Sequence, residues 1–136
     1  MSGVAIVRAL LAAHKPVTDI VPNARIFAGI APQGTQLPAI SVSTVYAEEF
    51  STVARLNPKK QNRERVQVTV YTQSNYPQMK NLLKACSLGR GVHKGTIVGF
   101  QVNSVLPEGE NPEIPPGDDK IYEQSRDFMV TFIEAN

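Results

Sequence analysis

The sequence predicts an α+β fold in which an antiparallel β-sheet has two α-helices packed on one face and presents two extended loops. Three observations lead to this fold class: two segments repeat apolar residues at helical spacing, four segments have a two-residue period, and two long polar segments join strands. The chain of 136 residues contains no internal repeat and no Ser/Gly-rich linker. We therefore expect a single domain over residues 1–136.

The first predicted helix covers residues 2–14, with Ser2 available as its N-cap. Its apolar residues recur three and four positions apart and are Val4, Val7, Leu10 and Leu11. Pro16 and Pro22 then interrupt helical hydrogen bonding, so residues 15–23 are expected to turn the chain. A short strand over residues 25–28 is predicted to follow.

The second predicted helix begins after Ser74 or Asn75, either of which can cap it. Pro77 falls in the first turn, where proline is tolerated, and Gly89 is expected to end the helix. One apolar stripe faces the core and consists of Tyr76, Met79, Leu82, Leu83 and Cys86.

Alternating residues predict the longer strands of the sheet. Residues 39–47 and 65–71 are expected to pair with each other, and Val66, Val68 and Val70 share one face of the second strand. Residues 96–104 and 127–132 predict two long closing strands.

Two polar segments connect these strands. The first, which we call the basic excursion, covers the seventeen residues 48–64 and is longer than an ordinary hairpin loop. The second, which we call the acidic arm, covers residues 107–119 and contains four prolines, two glycines, five acidic residues and no basic one. Because it is too polar and proline-rich for a core, we expect it to project from the sheet as an exposed arm.

The two segments have opposite charge. Basic residues in or beside the excursion are Arg55, Lys59, Lys60, Arg63 and Arg65, and the acidic residues of the arm are Glu108, Glu110, Glu113, Asp118 and Asp119. If the segments lie on different flanks, these ten residues form a subunit interface in which one copy's arm meets the next copy's excursion, and such heterologous contacts can close into a ring. The alternative is that both segments only keep the chain soluble, because exposed ion pairs contribute about 0–1 kcal/mol each.

No residue pattern in the sequence indicates catalysis, a cofactor or a metal. His14 and His93 are isolated, and no metal-ligand spacing occurs. Cys86 lies on the apolar stripe, which favours a buried hydrophobic role over a nucleophile paired with His93. The Gly-rich run 89–95 follows a helix and precedes a strand, which is the reverse of a phosphate-binding loop and typical of a helix cap and turn. We therefore predict that the chain is not an enzyme.

Overall charge and composition exclude several other classes. The formal net charge is only +2, below the balance expected of a general phosphate-backbone binder. A single cysteine cannot form an internal disulfide, and the N-terminus lacks a secretory signal, so we expect synthesis in a reducing cytoplasm. No apolar stretch approaches the roughly 20 residues that cross a bilayer, so no membrane association is expected.

Short motifs in a shared order resemble the small tail-completion or tail-terminator proteins of long-tailed bacteriophages and prophages. After an N-terminal helix come RIF at 25–27, APQG at 31–34, LPAI at 37–40, RVQVTVY at 65–71, the helix after Tyr76, and RDF at 126–128. The resemblance covers nearly the whole chain and departs in the acidic arm.

The resemblance implies a structural α+β subunit that forms a ring, a hexamer, in the tail and neck of a virion assembled in the host cytoplasm. It implies that this ring caps the tail tube, contacts the tube protein and the head-tail connector proteins, and lets DNA pass through its lumen without specific binding. Two alternatives remain open: a head-tail connector or other neck protein, and a nucleic-acid-binding module that uses the basic excursion.

Overall fold

A six-stranded sheet with three α-helices forms the described part of the chain. The computed structural model describes residues 2–32, 34–50, 59–88 and 93–135. The helices are α1 (Ser2–Ala13), α2 (Lys15–Thr18) and α3 (Tyr76–Ala85), and a 3-10 turn covers Asn23–Arg25. The strands are β1 (Ile26–Ala28), β2 (Ala39–Phe50), β3 (Lys59–Gln73), β4 (Gly95–Ile97), β5 (Phe100–Glu110) and β6 (Ile121–Ala135).

The α+β class is confirmed, but the sheet is mixed and not antiparallel throughout. Its strand order is β1-β2-β3-β6-β5-β4. The short β1 runs parallel to β2, whereas every other neighbouring pair of strands is antiparallel.

The third helix, α2, lies where only a turn is predicted. Pro16 occupies the start of this helix, where the missing N–H of proline costs nothing.

Both long helices cover one face of the sheet. The backbone N–H of Gly3 in α1 donates to Glu64 Oε1, on the same face of β3 as Val66. Lys80 Nζ of α3 donates to Gln124 Oε1, and Gln124 lies opposite Val70 in the β3/β6 register. The buried core between helices and sheet includes Val7, Leu11, Val66, Val68, Val70, Met79, Leu82, Leu83, Phe128, Val130 and Phe132.

The structure confirms the N-cap and the first-turn proline predicted for α3. Asn75 is the N-cap, and its side-chain oxygen accepts a hydrogen bond from the backbone N–H of Gln78 at 2.9 Å. The helix ends at Ala85, with the buried Cys86 as C-cap. Of the predicted stripe only Tyr76 stays substantially exposed. The predicted stop at Gly89 lies outside the described residues.

The prediction of a seventeen-residue loop between β2 and β3 is wrong. The strands extend into it from both sides, pairing as far as Glu48 with Arg63 and Phe50 with Gln61, so only residues 51–58 lie between them. The added part of β3, residues 59–65 (KKQNRER), is polar on both faces, so it has no two-residue apolar period that would predict a strand. Pairing of β3 with β6 on its other side supports the extension.

The single strand predicted over residues 96–104 is also wrong. Ile97 pairs with Phe100, and the chain reverses through Val98 and Gly99, whose φ angles of +46° and +82° are both positive. Two consecutive residues with positive φ are typical of a two-residue hairpin turn. The alternating pattern runs through this turn without a break, so the sequence period does not reveal it.

The acidic arm does not project from the sheet. Its first residues belong to β5, where Pro107 pairs with Phe128 and Glu110 with Arg126. The chain then continues beside β6, since the backbone N–H groups of Asn111 and Ile114 donate to the carbonyls of Ser125 and Glu123. The arm is solvent-exposed, as predicted, but it lies along the sheet because its backbone finds hydrogen-bond partners there.

Replacing Phe132 by alanine should lower the free energy of unfolding by about 3–5 kcal/mol, the usual cost of emptying a fully buried phenylalanine site. Its ring also makes an edge-on contact with Phe100, with ring centroids 5.7 Å apart. Urea denaturation measures the change. Leu106→Ala is the matched control, since Leu106 lies 41% exposed on β5, and an equal loss in both variants would contradict this description of the core.

Candidate assembly surfaces

The basic residues predicted to contact a neighbour lie along β3. Lys59 and Lys60 begin the strand and Arg63 and Arg65 follow within it, whereas Arg55 lies outside the described residues. Arg63 Nη2 contacts Glu48 Oε2 of β2 at 3.0 Å. Arg65 Nε contacts Asp127 Oδ2 of β6 at 2.7 Å. Two of the predicted interface cations therefore have acidic partners in their own chain.

Asp127 joins three parts of the molecule. Its side chain is only 7% exposed. Besides the bond from Arg65, it accepts a hydrogen bond at 3.0 Å from Asn111 Nδ2 at the middle of the acidic arm. The hydrogen bond to Asp127 is also the main reason that the pKa of Arg65 is raised above its ordinary value. Strand β3, strand β6 and the arm are thus held together by one buried carboxylate.

Two acidic residues of the arm also have partners in their own chain. Glu110 Oε1 contacts Arg126 Nη2 at 2.7 Å, and the Arg126 side chain is 10% exposed beneath the helices. Glu113 Oε1 accepts a hydrogen bond from the Tyr76 hydroxyl and contacts Lys80 Nζ, both on α3. These contacts with Lys80 and then Tyr76 lower the pKa of Glu113, and the same carboxylate raises the pKa of both Lys80 and Tyr76. Glu110 and Glu113 fix the arm to its own subunit.

The remaining acids of the arm are not neutralised in this way. Within residues 2–32, 34–50, 59–88 and 93–135, Glu108, Asp118 and Asp119 form no ion pair. Asp119 Oδ1 accepts only the backbone N–H of Ile121. Asp118 and Asp119 therefore differ from Glu110 and Glu113, because their charges are available to solvent or to another molecule.

Asp118 and Asp119 line a groove of about 440 Å³ at the end of the sheet where β3 finishes and β6 begins. Glu123 lines it too, and burial together with the nearby Asp119 raises the pKa of Glu123. Tyr71, Ile114 and Ile121 supply its apolar wall. We call this site the acidic groove. Sequence reasoning missed Glu123 and the groove, since residues 71 and 114–123 meet only in the folded sheet.

A second, apolar hollow of about 250 Å³ adjoins the acidic groove and shares Tyr71 and Ile121 with it. Its other walls come from the loop between β1 and β2, including Ile30, Pro32 and Leu37. Ile30 is 93% exposed, which is unusual for so large an apolar side chain. This end of the sheet therefore combines exposed apolar surface with unpaired carboxylates.

The groups considered for catalysis lie apart from these surfaces. Cys86 is fully buried, and burial raises the pKa of its thiol to about 12. His93 Nε2 lies 3.0 Å from the carbonyl oxygen of Leu88. Among the described residues no group of three or more His, Cys, Asp or Glu side chains could hold a metal ion, and no described helix is long and apolar enough to span a membrane.

The stability of the protein should depend on Cys86 in alkaline solution. An unfolded thiol ionises near pH 9, whereas the folded thiol keeps its proton until about pH 12, so this group lowers stability as the pH rises through that window. Between pH 7 and pH 10 this difference in thiol ionisation lowers the free energy of unfolding by about 1.4 kcal/mol. Urea unfolding of wild type and of Cys86→Ala at both pH values should show a smaller alkaline loss in the variant. An identical loss in both chains would contradict the buried, protonated thiol.

Replacing Lys80 by methionine should loosen the acidic arm by removing the cation that contacts Glu113. The amide of Ile114, which bonds to the Glu123 carbonyl, should then exchange its hydrogen about two- to fivefold faster, measured by NMR. Lys84→Met is the control, because Lys84 lies exposed one turn further along α3. Unchanged exchange in Lys80→Met would show that the arm is held by its backbone bonds alone.

Comparison with known proteins agrees with the resemblance seen in the sequence. The family model of tail completion protein gp17 matches residues 5–88, which run from α1 past the end of α3. A chain from the "Virion of native gene transfer agent (GTA) particle" has a similar fold, with a TM-score of 0.67, 12% sequence identity, and coverage of 98% of this chain and 97% of that chain. A search of curated proteins gave no match.

The family match covers more than half of the chain and includes most of α1, strands β2 and β3, and α3. The acidic arm and the acidic groove lie largely beyond it. The chain belongs to the tail completion protein gp17 family and is a structural protein of a phage-type virion tail.

Proposed function

We propose that this chain is the subunit of a ring, a hexamer, that caps the tail tube when tube growth stops and provides the surface to which the head joins. The family match over residues 5–88 is the observation on which the proposal depends. The partners in this proposal are further copies of the chain, the tail tube protein and the head-tail connector proteins.

A ring is well suited to ending a tube. The end of a tube presents the same binding surface once per subunit, and a ring of matching symmetry can occupy every copy of it together. Linked contacts of this kind bind much more tightly than each contact alone, so weak individual contacts are sufficient. Once all growth sites are occupied, no further tube subunit can add.

Opposite charges on different parts of the subunit support head-to-tail contacts within such a ring. Our proposed interface includes the ten residues identified from the sequence, which are Arg55, Lys59, Lys60, Arg63, Arg65, Glu108, Glu110, Glu113, Asp118 and Asp119. Four of these, Arg63, Arg65, Glu110 and Glu113, have ion-pair partners in their own chain, so in the interface they act together with those partners.

Passage of DNA through the ring requires a lining that does not hold phosphate groups. The helix-free face of the sheet has uncharged polar side chains that are partly exposed, Ser43, Gln67 and Ser125. Arg65 and Asp127 lie on the same face and neutralise each other. We include this face in the proposal as the one that borders the lumen.

Deleting the gene for this chain should give virus-like tails of abnormal and variable length, because nothing then stops tube growth. Electron microscopy of particles from the deletion strain measures tail length, and expression of the wild-type chain from a plasmid should restore uniform tails. The control is deletion of a gene for another structural protein of the same particle.

Other outcomes of this experiment favour the alternatives. Tails of normal length that are not attached to heads would contradict the terminator role and favour a head-tail connector or neck protein. Duplex DNA binding by the purified chain at low salt, lost in the Lys59→Ala, Lys60→Ala, Arg63→Ala triple variant, would favour a nucleic-acid-binding module.

A further inference from the structure

The acidic groove has negative charge, and no Lys or Arg is among the described residues that line it. Among the described residues Asp118, Asp119 and Glu123 form no ion pair, and the raised pKa of Glu123 reflects burial beside another carboxylate. The apolar wall of Tyr71, Ile114 and Ile121 partly removes these acids from water. A cationic segment with some apolar side chains would both neutralise the acids and cover the wall.

One segment of the same sequence has this chemistry. Residues 51–60 have the sequence STVARLNPKK; residues 51–58 lie outside the described part of the chain, and Lys59 and Lys60 begin β3. They contain Arg55, Lys59 and Lys60, no acidic residue, and the apolar side chains Val53 and Leu56. We call this segment the basic hairpin end.

Lys59 and Lys60 of the basic hairpin end lie far from the acidic groove of their own subunit. Lys59 begins β3, and Tyr71 near the other end of the same strand lines the groove. A strand of this length spans roughly 40 Å between Lys59 and Tyr71. Because β3 is paired on both sides with β2 and β6, it cannot fold back on itself. Contact of Lys59 or Lys60 with the groove therefore requires two copies of the chain.

The sheet edges are poorly suited to joining copies through their backbones. The outer edge of β2 beyond Val42 and that of β5 beyond Val102 have no strand partner among the described residues. However, β2 has a register shift at Thr44/Tyr46, and β5 has two shifts and contains Pro107. Bulges and proline are features that oppose pairing with another strand. Side-chain docking at the ends of the sheet is the better fit.

We propose that the acidic groove of one subunit receives the basic hairpin end of a second copy of this chain. This inference depends on the proposed ring and specifies its contact. The contact is head to tail, because each subunit offers its groove at one end of β3 and its basic hairpin end at the other, and repetition of one such contact closes a ring or extends a filament. Asp118, Asp119 and Glu123 face the neighbour, while Glu110 and Glu113 hold the arm in place.

A cysteine pair tests this contact in the full-length chain. In the Lys60→Cys, Asp118→Cys variant the two thiols are too far apart to bond within one subunit, since a disulfide needs Cα atoms within about 7 Å. We expect mild oxidation to give disulfide-linked dimers and larger oligomers on a non-reducing gel. The native Cys86 is buried and does not interfere. The control pairs Lys60→Cys with Asp19→Cys, at the exposed C-cap of α2, and should remain monomeric on the gel.

A charge exchange provides a second measurement. Asp118→Lys should reduce the ring fraction in sedimentation, whereas Asp19→Lys, which also reverses one exposed aspartate, should leave it unchanged. Adding Lys60→Glu to Asp118→Lys should restore the ring at least in part, because each contact again joins opposite charges.

The outcomes separate this inference from the proposed function. A chain that sediments as a ring but gives no Lys60→Cys, Asp118→Cys crosslink overturns the groove contact and leaves the ring proposal in place. Efficient disulfide dimers from Lys60→Cys alone also overturn it, because they would place two basic hairpin ends against each other. A chain that stays monomeric at the highest attainable concentration, with no crosslink, overturns the inference together with ring formation in solution.

Discussion

The whole structure depends on β3 being paired along its full length with β6 and along most of its length with β2. From Lys59 to Gln73 every residue of β3 has a partner in β6, and Gln61 to Tyr71 also pairs with β2 apart from one bulge. Val66, Val68 and Val70 on one face of this strand provide the surface on which α1 and α3 pack. A strand paired on both sides has no free backbone groups and cannot bend independently, so it fixes the distance between its two ends.

Ionic contacts decide how the polar segments lie on this sheet. Asp127 holds Arg65 and Asn111 together, Arg126 holds Glu110, and Lys80 with Tyr76 holds Glu113. The two acids that contact Arg65 and Arg126 belong to buried or half-buried pairs, in which loss of one partner leaves an uncompensated charge. Such pairs are therefore better at fixing the position of the arm than at adding stability.

The proposed assembly contact rests on the separation of charge along β3. Acids that are paired within the subunit hold the arm against β6, and the arm in turn forms one wall of the acidic groove. Lys59 and Lys60 of the basic hairpin end lie at the opposite end of the strand. A rigid element with different ends favours head-to-tail association, in which the same contact is repeated between successive copies and symmetry determines whether the assembly closes. The proposed role at the end of a tail tube requires such a repeated contact.

The sequence alone determined the elements with strong short-range signals. Helical spacing and the Asn75 cap located α1 and α3, and the valine alternation located the centre of β3, because these signals depend on residues only a few positions apart. Only the tertiary structure decided the rest. The outer part of the β2–β3 hairpin has no alternating apolar residues. The turn at Val98 and Gly99 leaves the alternating sequence pattern unbroken, so the pattern does not reveal it. The groove brings Tyr71 together with residues 114–123, which are distant in sequence. A sequence shows how many charges a segment has, but the partner of each charge depends on which strands lie side by side.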